Sequence, residues 1–308
     1  MPTYRTDLAM ESFESAGGDA IPGVSVSRWH AEGIDITEVA VEDNGAANAL
    51  GKPKGRYLTL EAARLRERDP DIRLAMASML AEELARLLPA PSPLETVLVV
   101  GLGNRGITPD SLGPAVIDRT LATRHLLGGP FGPTGLNSVC AVAPGVLGVT
   151  GIETRELVSG LIDQVHPACL ICVDSLAARS AARVGSTLQL SDAGIQPGSG
   201  VGNHRAALTE SQLGLPVISI GMPTVIYAAT LARDAFAWLN AENGDMEPHE
   251  DALADMERSL LRGDLGEMIV TPRDIDAMVQ DAAGIIASAV NRALQPGLSD
   301  EEISAMMD

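Results

Sequence analysis

The run Val97-Leu98-Val99-Val100 passes directly into Gly101-Leu102-Gly103-Asn104-Arg105-Gly106 and then Thr108-Pro109-Asp110. An apolar, largely β-branched segment that ends in glycine reads as a buried parallel strand. Thr108 is placed to cap a helix, Pro109 to be its first residue and Asp110 to put a favourable charge in its first turn. Strand, glycine loop and helix in that order bring Asp110 to the carboxyl edge of a sheet, where open α/β folds carry their sites.

The rest of the chain repeats the alternation. Val24–Trp29 and Ile34–Val41 read as a hairpin, Asn44–Gly55 as a loop, and Leu60–Arg68 and Ile72–Leu88 as helices broken at Pro70 and stopped by Pro89-Ala90-Pro91. That proline pair closes an N-terminal lobe, 24–90. Strands are then predicted at 95–100, 139–142, 168–173, 187–190 and 217–220, with helices at 109–124, 153–165 and 224–239. Together these make a core over 94–240. Residues 241–270 are acidic and irregular, and helices follow at 274–294 and 299–308. The predicted fold is α/β, three-layered, with a mostly parallel sheet covered by helices on both faces.

Only 3% of residues are aromatic, so the core must be aliphatic. A formal net charge of −19 argues against direct nucleic-acid binding, because no basic surface would neutralise phosphates. No apolar run approaches membrane-spanning length, so no membrane partner and a cytoplasmic location are expected. Cys140, Cys169 and Cys172 suit a reduced compartment. Cys169 and Cys172 have the C-x-x-C spacing, but on a strand residues three apart face opposite ways, which favours a core role over a redox or metal site.

Gly101–Gly106 fits G-x-G-x-x-G, but no acidic residue follows about twenty positions on, and Thr108-Pro109 delays the helix beyond the glycines. No nucleotide cofactor is expected. Asp174 follows an apolar strand and precedes Ser175-Leu176-Ala177-Ala178-Arg179, so it can be a simple helix cap. Asp110 and Asp174 nevertheless end predicted parallel strands at the same sheet edge, where two carboxylates can share a proton and work on a water as base and acid. The five histidines show no ligand spacing, although His125 or His204 could join the two aspartates around a metal. No metal and no other cofactor is expected. The glycine-dense loop Gly194–Asn203, with Gly198, Ser199, Gly200 and Gly202, suits either main-chain contacts to an extended peptide or a tight turn.

Several stretches together resemble the germination protease family of endospore-forming bacteria. They are Tyr4–Glu11, Gly101–Asn104 with Thr108–Pro114, Thr123-Arg124-His125, Pro144–Val146 with Thr150–Thr154, Asp174–Arg179, Ser191–Asn203 and Gly221–Val225. The resemblance implies an aspartic-type endopeptidase with an α/β fold akin to the hydrogenase-maturation proteases, and its essential aspartates fall on Asp110 and Asp174. It further implies a homotetrameric zymogen of the spore core that cuts small acid-soluble spore proteins within Thr-Glu-(Phe/Ile)-Ala-x-Glu. Thr6-Asp7-Leu8-Ala9-Met10-Glu11 is similar to that sequence. Self-cleavage between Asp7 and Leu8 is therefore expected, in an exposed, flexible terminus, which makes 1–7 propeptide-like and 8–308 one protease domain. The family usually has alanine where Ser175 stands and threonine where Ala193 stands, and the Ser175 hydroxyl is placed to hydrogen-bond Asp174. Two other readings are a metal-dependent maturation protease and a non-catalytic peptide-binding protein with both aspartates as helix caps.

Overall fold

Polar–apolar alternation produces the expected hairpin: β1 (Val24–Ala31) and β2 (Ile34–Val41) pair antiparallel with Val24 opposite Val41. This computed structural model describes residues 6–18, 21–89, 95–127, 135–196, 206–242, 255–256, 259–260 and 268–307. β3 (Gly55–Glu61) pairs with β2 and takes the place of the first part of the helix expected at Leu60–Arg68. It is a strand because both its faces are covered: Leu58 and Leu60 enter one core and Tyr57 another. Within the stretch expected to be loop, Asn44–Leu50 forms a helix, α2, whose N-cap Asp43 accepts the Ala46 N–H at 2.8 Å. Before it lies α1 (Ala9–Ser15). Pro70 opens helix α3 (Pro70–Leu87) instead of breaking it, with the Asp69 carboxylate capping Asp71 and Ile72.

The described strands form one sheet in the order β1-β2-β3-β7-β8-β6-β4-β5, with β9 paired to β8. Its further members are β4 (Thr96–Gly101), β5 (Ser138–Val142), β6 (Cys169–Ala178), β7 (Thr187–Ser191), β8 (Val217–Tyr227) and β9 (Ile269–Val270). β8, β6, β4 and β5 run parallel, and β7, β3, β2 and β1 extend the sheet antiparallel. The hairpin and β3 are thus joined to the rest of the sheet by the β3–β7 ladder.

Helices cover both faces. One face buries α3, α4 (Leu112–Ile117) and a long helix near the C-terminus against Val99, Ile171, Val173 and Ile220. The other carries two separate clusters. Leu8, Phe13, Leu50 and Tyr57 gather around Leu176 and Ala178, while Val158 packs with Leu98, Leu170 and Cys172. Shorter helices are α5 (Arg124–Leu127), α6 (Leu147–Thr150) and α8 (Glu210–Leu213). Longer ones are α7 (Thr154–Val165), α9 (Ala228–Glu242), α10 (Ile275–Leu294), which is the long helix of the first face, and α11 (Asp300–Met307). Among the described residues no helix is long and apolar enough to cross a membrane.

Candidate active site

The last rung between β4 and β6 pairs Gly101 with Val173, and the Leu102 N–H then donates to the Val173 carbonyl at 2.8 Å. Asp174 is the next residue, only 5% exposed. It does not end its strand or cap a helix, as its flanking sequence led us to expect. β6 runs on to Ala178, because β8 continues beside it and Asp174 pairs with Gly221. The Asp174 Oδ1 accepts the Ser175 backbone N–H at 2.9 Å. The expected bond from the Ser175 hydroxyl is not made: strand alternation turns that side chain to the opposite face, where its Oγ has no partner among the described residues.

Asp110 reaches the same end of the sheet through a folded loop. The expected helix 109–124 is instead a 3-10 turn, Thr108–Asp110, followed by α4 and the separate α5, and Ile107 rather than Thr108 caps the turn. The Asn104 N–H donates both to the Asp110 carbonyl, at 2.8 Å, and to its Oδ2, at 2.9 Å. The Thr224 hydroxyl, from β8, donates to the Pro109 carbonyl at 2.6 Å and ties the turn down, so that it packs against β6 and β8. The glycines of the loop serve this packing. A Cβ on Gly101 would lie 2.3 Å from the Gly113 carbonyl oxygen, and one on Gly113 2.2 Å from that of Leu102, so the two glycines let α4 lie directly on the end of β4.

The two clusters on the Asp174 face leave a gap between Cys172 and Leu176, and Asp174 stands in it. The gap is a cleft of about 280 Å³ lined by Asp174, Gln189, Gly221, Lys52 and Tyr57, among others, and also by Thr6 and Asp7. The N-terminal hexad is therefore docked, not exposed and flexible as its sequence suggested. Leu8, Ala9 and Met10 are buried in the α1–Leu176 cluster, which holds them in place. The Asp7 N–H donates to the Ala177 carbonyl at 2.9 Å, and the Ala177 N–H returns a bond to the Asp7 Oδ2 at 2.8 Å. The Gln189 amide spans Leu8, donating to the Asp7 carbonyl at 3.1 Å and accepting the Ala9 N–H at 2.8 Å. Lys52 Nζ donates to the Thr6 carbonyl at 2.8 Å, and removal from solvent lowers its pKa against the opposing pull of Asp7 and Glu11.

Glu11 anchors the far end. Its carboxylate, 1% exposed, accepts the Arg179 and Ser180 N–H groups at 2.6 and 2.9 Å and lies 3.2 Å from the Arg183 guanidinium. Thr6 also donates to it. Burial raises the Glu11 pKa above 4.5, against the lowering effect of Thr6, Ser180 and Arg183.

Gly198, Ser199, Gly200 and Gly202 lie outside the described residues, as does His204. The stems of that loop, Gly194–Gln196 and Ala207, line the cleft, and Ile195 and Leu208 bridge them. Cys169 and Cys172 both lie on β6, three apart and unbonded. Burial pushes the Cys169 thiol up to about 12 and raises that of Cys172 as well. Among the described residues no cluster of three or more His, Cys, Asp or Glu side chains is arranged to hold a metal. Sequence reasoning missed Gln189, Lys52 and Arg183. The only signal for Gln189 was a polar residue between Leu188 and Leu190, which marks a strand face and not a role.

The fold and cleft define an α/β protein that holds a segment of its own chain in a cleft lined by a buried carboxylate of an interior strand. The family model for germination proteases matches residues 6–261. A germination protease of Caldanaerobacter subterraneus subsp. tengcongensis is 42% identical, covering 98% of both chains. One of Clostridium tetani is 38% identical over 99% of this chain and 100% of its own, and one of Bacillus cytotoxicus 35% over 98% and 96%. The chain belongs to the germination protease family, a family of peptidases.

Proposed function

We propose that this chain is an aspartic-type endopeptidase that begins the degradation of small acid-soluble spore proteins at germination and first cuts itself between Asp7 and Leu8. The observation that carries the reading is the chain's own Thr6–Asp7 segment lying in the cleft lined by Asp174. Asp110 and Asp174 share one proton. The ionised member takes a proton from water as it adds to the Asp7 carbonyl carbon, and the protonated member gives one to the Leu8 nitrogen as the C–N bond breaks. Lys52 and the Ala177 N–H suit an acidic residue before the cut, and Arg183 with the Arg179 and Ser180 N–H groups suits the glutamate after it. The loop carrying Gly198, Ser199, Gly200 and Gly202 springs from the cleft wall, which supports a role in gripping substrate backbone. The working form is a homotetramer of the spore core. Leu231, Phe236 and Trp238 of α9 are 40%, 45% and 60% exposed, apolar surface of the kind that association covers.

The test is intact-mass spectrometry of the purified chain during incubation, with Asp110→Asn and Asp174→Asn alongside. Loss of residues 1–7 from wild type alone is the expected result. Equal loss from either variant would remove that aspartate from the chemistry, and an uncut wild type would remove the self-processing.

A further inference from the structure

Across the sheet, Asp174 pairs with Gly221 and Gly221 with Gln189. Residues paired in this way share a face, so Asp174 and Gln189 stand on either side of a residue with no side chain, about 10 Å apart at two strand spacings. The Leu176 side chain fills the space where a Cβ on Gly221 would stand, and Asp7 lines the same cleft. Gln189 is buried and makes two bonds of opposite sense to main-chain atoms: Nε2 donates to the Asp7 carbonyl, and Oε1 accepts from the Ala9 N–H. Both bonds are satisfied only in this orientation of the amide, and neither depends on which side chain lies between them. Gln189 thus grips the carbonyl of the bond whose cleavage is proposed above and fixes the chain one residue beyond it.

We infer that Gln189 is a catalytic residue of the peptide cleavage, which rests on the Asp110–Asp174 reading. When water oxygen bonds to the Asp7 carbonyl carbon, the C=O π pair moves onto the oxygen, and the Nε2–H already aimed there stabilises the charge. As the intermediate collapses the C–N bond breaks, the Leu8 nitrogen takes its proton from the carboxyl pair, and Gln189 neither gains nor loses one. The Oε1 bond to Ala9 keeps the amide from rotating away.

The experiment follows self-processing of the full chain by intact mass for Gln189→Glu, Gln189→Ala and Ala9→Pro, beside the two aspartate variants. At neutral pH the Gln189 variants are expected to release residues 1–7 about 100-fold more slowly or worse, the usual effect of losing such a donor. A glutamic acid can donate once protonated. The Gln189→Glu rate relative to wild type should therefore climb as pH falls, while the Gln189→Ala ratio should not, a distinction that a purely structural role would not produce. Ala9 is the first residue of α1 and Leu8 before it is extended, so the backbone there suits proline, which removes the N–H that Oε1 accepts and sets a ring carbon against that oxygen in its place. It should slow processing even if both Gln189 variants fail to fold. Wild-type rates in a folded Gln189 variant or in Ala9→Pro overturn the role of Gln189. Wild-type rates in the aspartate variants overturn instead the reading it rests on.

Discussion

Glu11 shows how one side chain ties the docked segment to pH. Its carboxyl titrates above 4.5 in the folded chain because burial outweighs the hydrogen bonds and the Arg183 charge around it. Between 4.5 and that raised value the folded chain binds more protons here than the unfolded one. This contribution to stability is therefore complete below pH 4.5 and lost as pH rises through the folded-state value. Glu11→Gln removes the titration and turns one amide N–H toward the Arg179 or Ser180 donor, a loss of about 1–3 kcal/mol. Urea midpoints of wild type and Glu11→Gln, measured from pH 4 upward, should show the wild-type advantage shrinking with pH and then levelling. An advantage that grows with pH over that window would contradict the assignment. Reading the sequence located Glu11 in a substrate-like hexad, but its partners lie some 170 positions away, at Arg179, Ser180 and Arg183, and no local pattern announces them.

At the scale of elements, the glycine loop after β4 serves packing more than ligand binding. α4 lies on the strand end only because Gly101 and Gly113 face each other without side chains. Gly113→Ala would drive a methyl group against Leu102 backbone atoms on both sides. A destabilisation of about 1–3 kcal/mol is expected, read as a lower urea midpoint. Unchanged stability would mean that α4 shifts freely. The hairpin, β4, β5 and α7 were legible because their alternation or apolar runs are local. β6 and β8 were read too short: Ser175–Ala178 and Thr224–Tyr227 have helix-like or proline-broken sequences and are strands only because each lies beside the other. That the Asp110 turn packs against β6, the strand of Asp174, was legible because it needs only the order of the parallel strands. Gln189 was not, because its role depends on a row of three strands.

Across the whole molecule, the face that carries Asp174 has two small cores and a gap between them, and α1 belongs to one of those cores. Leu8, Ala9, Met10 and Phe13 pack with Val39, Leu50, Leu176 and Ile226, so the N-terminal segment joins the hairpin half of the sheet to the parallel half. Leu8 is fully buried there. In the uncut Asp174→Asn chain, Leu8→Ala should lower stability by about 2–5 kcal/mol, the range for truncating a buried leucine, as a single cooperative urea transition. A change below about 0.5 kcal/mol would show that the segment docks without supporting the fold.

The packing of Leu8 also bears on turnover. A cut before Leu8 would free residues 1–7 but leave the other product wedged in the core, with a new α-ammonium where an amide had been and a usual pKa near 8. The first reaction would then vacate only half of the cleft. An incoming chain would find room for the residues ahead of its cleavage point, and for those behind it only when α1 lifts out of the Leu176 cluster.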